Sequence, residues 1–134
     1  METRLKFSLY KKPDDIIEAA RIALKNRLYV SGWQLFNWFQ TAKFYPTDVE
    51  GIVLAFREEI PVAVLFAYRD QTSGVFVRKC ERRQGIGTDM VKVICESGFV
   101  PLFTAHDYRS TEFFEGLENR IEIEYEWMDQ DEDV

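Results

Sequence analysis

Arg82, Gly85 and Gly87 stand in the run CERRQGIGTDM, residues 80–90, between an apolar stretch (Gly74-Val75-Phe76-Val77) and an amphipathic one beginning at Met90. A glycine turn that opens a helix can hold an anion. The helix N-terminus carries unpaired N–H groups and a partial positive charge, and glycine lets a ligand approach the backbone where a Cβ would block it. Arg82 and Arg83 add charge beside the turn. The plainer alternative is a surface loop. Two familiar phosphate motifs fail here. A P-loop needs Lys and then Ser or Thr after its last glycine, whereas Gly87 is followed by Thr88-Asp89; a dinucleotide fingerprint needs a small residue where this chain has Met90. Kinase, ATPase and dehydrogenase readings drop away with them.

Other reactive side chains are sparse. The two cysteines, Cys80 and Cys95, and the single histidine, His106, lack the spacing of a zinc site, and no metal is expected. Both thiols read as reduced and structural. No Ser-His-Asp or HExxH arrangement occurs. Glu58 and Glu59 fall in a predicted hairpin turn, where solvated glutamates are ordinary. Glu122, Glu124 and Glu126 form a row that is either a solvent face or an acidic wall for a cationic acceptor. Trp33, Phe36, Trp38 and Phe39 surround a predicted helix on more than one face, which suits a buried helix or a ligand cleft lined by rings.

The elements that must position these residues follow from periodicity. Leu5 to Tyr10 alternates as a strand. A helix is expected after Pro13, with Asp15 and Glu18 as a capping box and Ile16, Ala20, Ala23 and Leu24 on one face. A second helix starts at Ser31. Ile52 to Phe56 and Val62 to Tyr68 read as a hairpin of central strands, and Val75 to Lys79 as a further strand. A helix then runs from Gly87 to about Glu96, and Phe99 to Thr104 is a strand that would complete a right-handed βαβ crossover. A last helix ends near Leu117, and Ile121 to Trp127 alternates strictly. The order is β-α-α-β-β-β-α-β-α-β. This is an α/β single domain over residues 1–128, followed by an acidic tail at 129–134.

The totals agree with a packed domain. In 134 residues, 46% are hydrophobic, with 11 Phe, 6 Tyr and 3 Trp, ample for a core without disulfides. No apolar run approaches the roughly 20 residues that span a bilayer, and METRLKFSLYKKPDD lacks a signal-peptide core. A soluble, cytoplasmic protein with no membrane partner is expected. A net charge of −6 argues against a nucleic-acid partner and is compatible with a cationic substrate.

Arg82-x-x-Gly85-x-Gly87 resembles the pyrophosphate-binding motif Q/R-x-x-G-x-G/A of the GNAT family of N-acetyltransferases. Val77 precedes Arg82 by the family's usual interval, with Lys79-Cys80-Glu81 in place of its P-E-Y turn. Ser110 to Leu117 looks like the family's A-x-x-F-Y-E-K-x-G-F helix, and the hairpin of residues 52–68 lies where the family has its second and third strands. The similarity extends from about Leu5 to Trp127.

The resemblance implies a mixed, mostly antiparallel central sheet flanked by helices, with a βαβ core that binds acyl-CoA. It implies acetyl-CoA as acyl donor and direct transfer to an amine of a small molecule or protein, and it permits a homodimer. Backbone amides around Arg83, Gln84, Gly85, Ile86, Gly87 and Thr88, with Arg82, would hold the pyrophosphate. Val75, Phe76 and Val77 would run beside the pantetheine arm, in a slot where the strands of residues 75–79 and 99–104 splay apart. Trp33, Phe36, Trp38 and Tyr45 are the candidate acceptor contacts. The match departs at Phe114, where many relatives carry the Tyr that protonates the leaving thiolate, and at Asp107, where many carry Asn. Tyr108 or His106 could supply the proton instead, or each could serve packing or capping. The other reading is a non-catalytic protein on the same fold that binds acyl-CoA or a partner protein.

Overall fold

The computed structural model describes residues 5–29, 38–69, 73–82, 84–105 and 124–127. Four strands, β1 (Leu5–Tyr10), β2 (Val49–Arg57), β3 (Ile60–Tyr68) and β4 (Gly74–Val77), form an antiparallel sheet in chain order. Helices α1 (Pro13–Lys25) and α2 (Gln40–Phe44) precede β2, and α3 (Ile86–Glu96) follows β4. Strands β5 (Leu102–Ala105) and β6 (Glu124–Trp127) pair in parallel as a second, two-stranded sheet.

Strand alternation sorts the core into two layers. Val53, Ala55, Ala63, Leu65 and Ala67 meet Ile86, Met90, Val91 and Ile94 of α3, with Leu5, Phe7 and Leu9 of β1 at the margin. Ile52, Leu54, Val64, Phe66 and Tyr68 meet Ile16, Ala19, Ala20 and Ala23 of α1 on the other face. Both central strands are therefore covered on both sides, which explains their continuous apolar runs. Each fully buried Ile, Leu or Phe contributes about 1.5–3 kcal/mol through the area it removes from water.

Several local expectations are corrected. Helix α1 has no side-chain cap from Asp15; it begins at Pro13, with Lys12 as N-cap, and Ile16 N–H donates to the Lys12 carbonyl at 2.9 Å. Proline at the first helical position fixes φ and lacks the N–H that would otherwise be orphaned. The helix ends in a Schellman motif: Leu28 N–H reaches Ala23 O at 3.0 Å and Arg27 N–H reaches Leu24 O at 3.1 Å, with Arg27 left-handed at φ 55°. The strands β2 and β3 are longer than expected and joined by a two-residue turn, Glu58-Glu59, both left-handed at φ 52° and 69°. Pro61 lies within β3, opposite Phe56 at an irregularity of the ladder, which is where a strand tolerates a missing N–H. Strand β4 ends at Val77, short of Lys79, and β5 starts at Leu102, later than Phe99. Helix α3 starts one residue early, at Ile86. The Ser31 helix start, the last helix and residues 121–123 lie outside the described residues.

Among the described residues, no helix is long and apolar enough to cross a membrane, and no group of three or more metal-ligating side chains occurs.

Candidate functional site

The parting of β4 from β5 organises the site. Among the described residues the two meet at one parallel bridge, from Ser73 just before β4 to Phe103, where Ser73 N–H donates to Leu102 O at 2.6 Å. Strand β5 pairs with β6 along its whole length, from Leu102 to Ala105. At the other end of β4, Arg78 N–H reaches Val62 O of β3 at 3.0 Å. Peptide groups alternate in direction along a strand, so with Ser73 facing β5 and Arg78 facing β3, the backbone groups of Val75 and Val77 face the β5 side. The resemblance implies a cofactor slot along that edge. Phe76 turns its peptide groups to β3, pairing with Val64, and its side chain packs on the α1 face.

Beyond Val77 a single turn, Lys79–Glu81, leads into the glycine run. Gly85 is the N-cap of α3 and is left-handed, at φ 79° and ψ 9°. A Cβ placed on it would meet nothing within 4 Å. Glycine is thus favoured by conformation at that position, with open space beside it. No side chain caps α3, and the first helical bond is Asp89 N–H to Gly85 O at 2.9 Å. The preceding amides of Ile86, Gly87 and Thr88 are the orphan donors of the first turn. Gly87 and Ile86 are buried against the core, and Thr88 is half-buried. An anion set beside Gly85 would meet these amides and the positive end of the helix dipole.

Arg82 is exposed, and its Nε donates to Val77 O at 2.9 Å. Its guanidinium therefore sits on the open edge of β4. Arg57, at the end of β2, holds the same loop from the other side: its Nε lies 3.1 Å from both carboxylate oxygens of Glu81, and its Nη2 donates to Gln84 Oε1 at 3.0 Å. No local signal announces this contact, since Arg57 and Glu81 are 24 residues apart.

The acceptor candidates divide. Trp38 is buried, packed on Phe66 with ring centroids 5.3 Å apart and lying over Gly74. Tyr45 is 64% exposed. Trp33, Phe36, Arg83, His106, Asp107, Tyr108 and Phe114 lie outside the described residues. Tyr68, which drew no attention in the sequence, is 2% exposed, and its hydroxyl has no hydrogen-bond partner among the described residues. Burial pushes its phenol far above the ordinary tyrosine range. Glu58 and Glu59 are exposed at their turn and, with Lys6, Ser8, Tyr10 and Phe56, line a depression of about 410 Å³ that shares no residue with the glycine turn.

Solved structures described as acetyltransferases share this fold. A ribosomal-protein-alanine N-acetyltransferase from Brucella melitensis biovar Abortus 2308 aligns over 84% of this chain and 89% of its own, with a TM-score of 0.53 and 12% identity. The aminoglycoside acetyltransferase meta-AAC0020, from an uncultured soil metagenomic sample, aligns over 88% and 90%, with a TM-score of 0.52 and 17% identity. A second soil aminoglycoside acetyltransferase, HMB0005, aligns over 90% and 94%, with a TM-score of 0.52 and 20% identity. The chain spans about a third, 34%, of a Pyrococcus horikoshii protein that it matches at a TM-score of 0.46 and 23% identity. No family model matches the sequence, and no curated protein matches it. The chain has the fold of the GNAT acetyltransferases, the family that its Arg82-x-x-Gly85-x-Gly87 run resembles.

Proposed function

We propose that this protein is an acetyl-CoA-dependent N-acetyltransferase. The observation that carries the reading is the uncapped start of α3 at left-handed Gly85, next to the open edge of β4 where it leaves β5. The amides of Gln84 to Thr88, with Arg82 and Arg83, hold the diphosphate of the donor. Val75 and Val77 offer backbone groups to the pantetheine arm, and an N–H on that edge stabilises the charge that grows on the carbonyl oxygen as an amine attacks. Acetyl-CoA, when bound, supplies the activated thioester; the chain needs no nucleophile of its own. The proton for the departing thiolate comes from Tyr108 or His106, because Phe114 cannot donate one.

The acceptor is an amine of a small molecule or a protein. Structures of the same fold include both kinds of enzyme by description, an aminoglycoside acetyltransferase in complex with sisomicin and a ribosomal-protein-alanine N-acetyltransferase. A net charge of −6 suits a cationic acceptor in either case. Of the four aromatic candidates, Tyr45 keeps a surface role available and Trp38 serves packing.

Phe114 favours a second reading, a GNAT-fold protein that binds acyl-CoA without turnover. Release of free thiol from acetyl-CoA across a panel of polyamines, aminoglycosides and N-terminal peptides separates the two. Amine-dependent release supports the transferase. Binding of acetyl-CoA with no release by any amine supports the binder.

A further inference from the structure

Arg57 closes β2, and its guanidinium leaves the sheet to grip the loop that enters the glycine turn. Two of its nitrogens share the Glu81 carboxylate, with Nε at 3.1 Å from each oxygen and Nη2 at 3.0 Å from Oε1. The same Nη2 donates to Gln84 Oε1 at 3.0 Å. The Glu81 side chain is only 13% exposed and that of Arg57 27%, so the pair is shielded more than an ordinary surface bridge. One planar group thus fixes two residues of the loop, the second of which immediately precedes Gly85. A forked, flat donor set does this; a lysine ammonium, a point charge on a flexible stem, does not.

Two consequences follow for an anion at the turn. Glu81 places a negative charge on the loop that leads into the turn, and Arg57 pairs with it. The amides of residues 85–88 bind best when already aimed at one point, because ordering them at the moment of binding costs affinity. Arg78 N–H to Val62 O and Arg82 Nε to Val77 O tie down the start of the same segment. Arg57 ties its end to the body of the sheet.

We infer that Arg57 is a positioning residue of the diphosphate-binding turn, acting through Glu81 and Gln84 and not by touching the ligand. The inference rests on the reading of that turn as the acyl-CoA diphosphate site. Its signature is selective: loss of the fork weakens a ligand that carries the diphosphate and spares one that lacks it.

The test compares CoA binding by calorimetry, and acetyl transfer from acetyl-CoA and from S-acetylpantetheine, in the wild type, Arg57→Met, Arg57→Lys and Gln84→Ala. Arg57→Met should weaken CoA binding at least tenfold and raise the KM for acetyl-CoA in step, with kcat/KM for S-acetylpantetheine within twofold of wild type. Arg57→Lys should fail to restore CoA affinity. Gln84→Ala, an exposed position whose loss leaves the core intact, should weaken CoA binding about threefold and so tests the inference even where Arg57→Met does not fold. CoA affinity unchanged in folded Arg57→Met or in Gln84→Ala overturns the inference, as does an equal loss with S-acetylpantetheine. Failure of the wild type to bind CoA is a different result: it overturns the reading of the turn itself.

Discussion

The indole of Trp38 occupies the space where residue 74 would carry a side chain: a Cβ built on Gly74 would overlap the indole carbons and come within 2.7 Å of Nε1. Gly74 opens β4 one residue after the Ser73 bridge to Phe103, so the packing of one aromatic ring fixes the strand at the point where the sheet divides. Gly74→Ala should therefore displace Trp38 from Phe66 and destabilise the fold by about 1–3 kcal/mol, the usual cost of overpacking. Urea denaturation with tryptophan fluorescence measures both effects. An unchanged midpoint would mean that the ring moves aside freely.

At Gly85 the constraint is conformational, since no neighbour crowds it. Gly85→Val should leave a folded protein, destabilised by about 1–2 kcal/mol through left-handed strain, and should abolish the binding of acetyl-CoA. Circular dichroism and calorimetry on the same sample check the two halves. Retained binding would move the diphosphate elsewhere.

Among the described residues, the Tyr68 hydroxyl in the core meets no hydrogen-bond partner. Such a group costs desolvation without return, so Tyr68→Phe should be neutral or stabilising at pH 7. Burial holds the folded phenol neutral well above its ordinary range, whereas the unfolded chain's phenol ionises near about pH 10. The unfolded state then binds fewer protons, and stability falls as pH rises above that point. Tyr68→Phe should flatten this alkaline fall. Parallel slopes for wild type and variant between pH 9 and 11 (roughly the window set by that reference value) would show that the hydroxyl finds a partner.

Three described non-glycine positions hold left-handed backbone in turns: Arg27 at the end of α1, and Glu58 and Glu59 in the hairpin. Arg27→Gly and Glu59→Gly should each relieve strain, by about 1 kcal/mol, and raise the thermal midpoint. A fall at either site would reveal a side-chain contact worth more than the strain.

Much of this was legible in the sequence because periodicity is local. The alternation of Leu5 to Tyr10, the apolar runs of β2 and β3, and the stripe Met90, Val91, Ile94 each state which face is buried. The glycine turn was legible for a similar reason, since Gly85 marks a backbone conformation that other residues resist. Contacts between distant elements left no such mark. The Arg57 fork depends on where β2 ends relative to Glu81, and the burial of Trp38 on a glycine in another element. Helix starts erred where two signals competed: Pro13 outranks the Asp15 and Glu18 pair because its fixed φ sets the first turn. The turn of the hairpin is shorter than the sequence suggests, because Pro61 signals a loop while the ladder irregularity opposite Phe56 absorbs it.

The central claim is that the turn at Gly85 and the open edge of β4 hold acetyl-CoA. Thermal unfolding with and without saturating acetyl-CoA tests it most directly, because any ligand that binds the folded state alone raises its stability. At about 100 times its dissociation constant the gain is roughly 2.7 kcal/mol, and an upward shift of several degrees is expected in the wild type but not in Gly85→Val. A midpoint that stays fixed as acetyl-CoA is added would contradict the account.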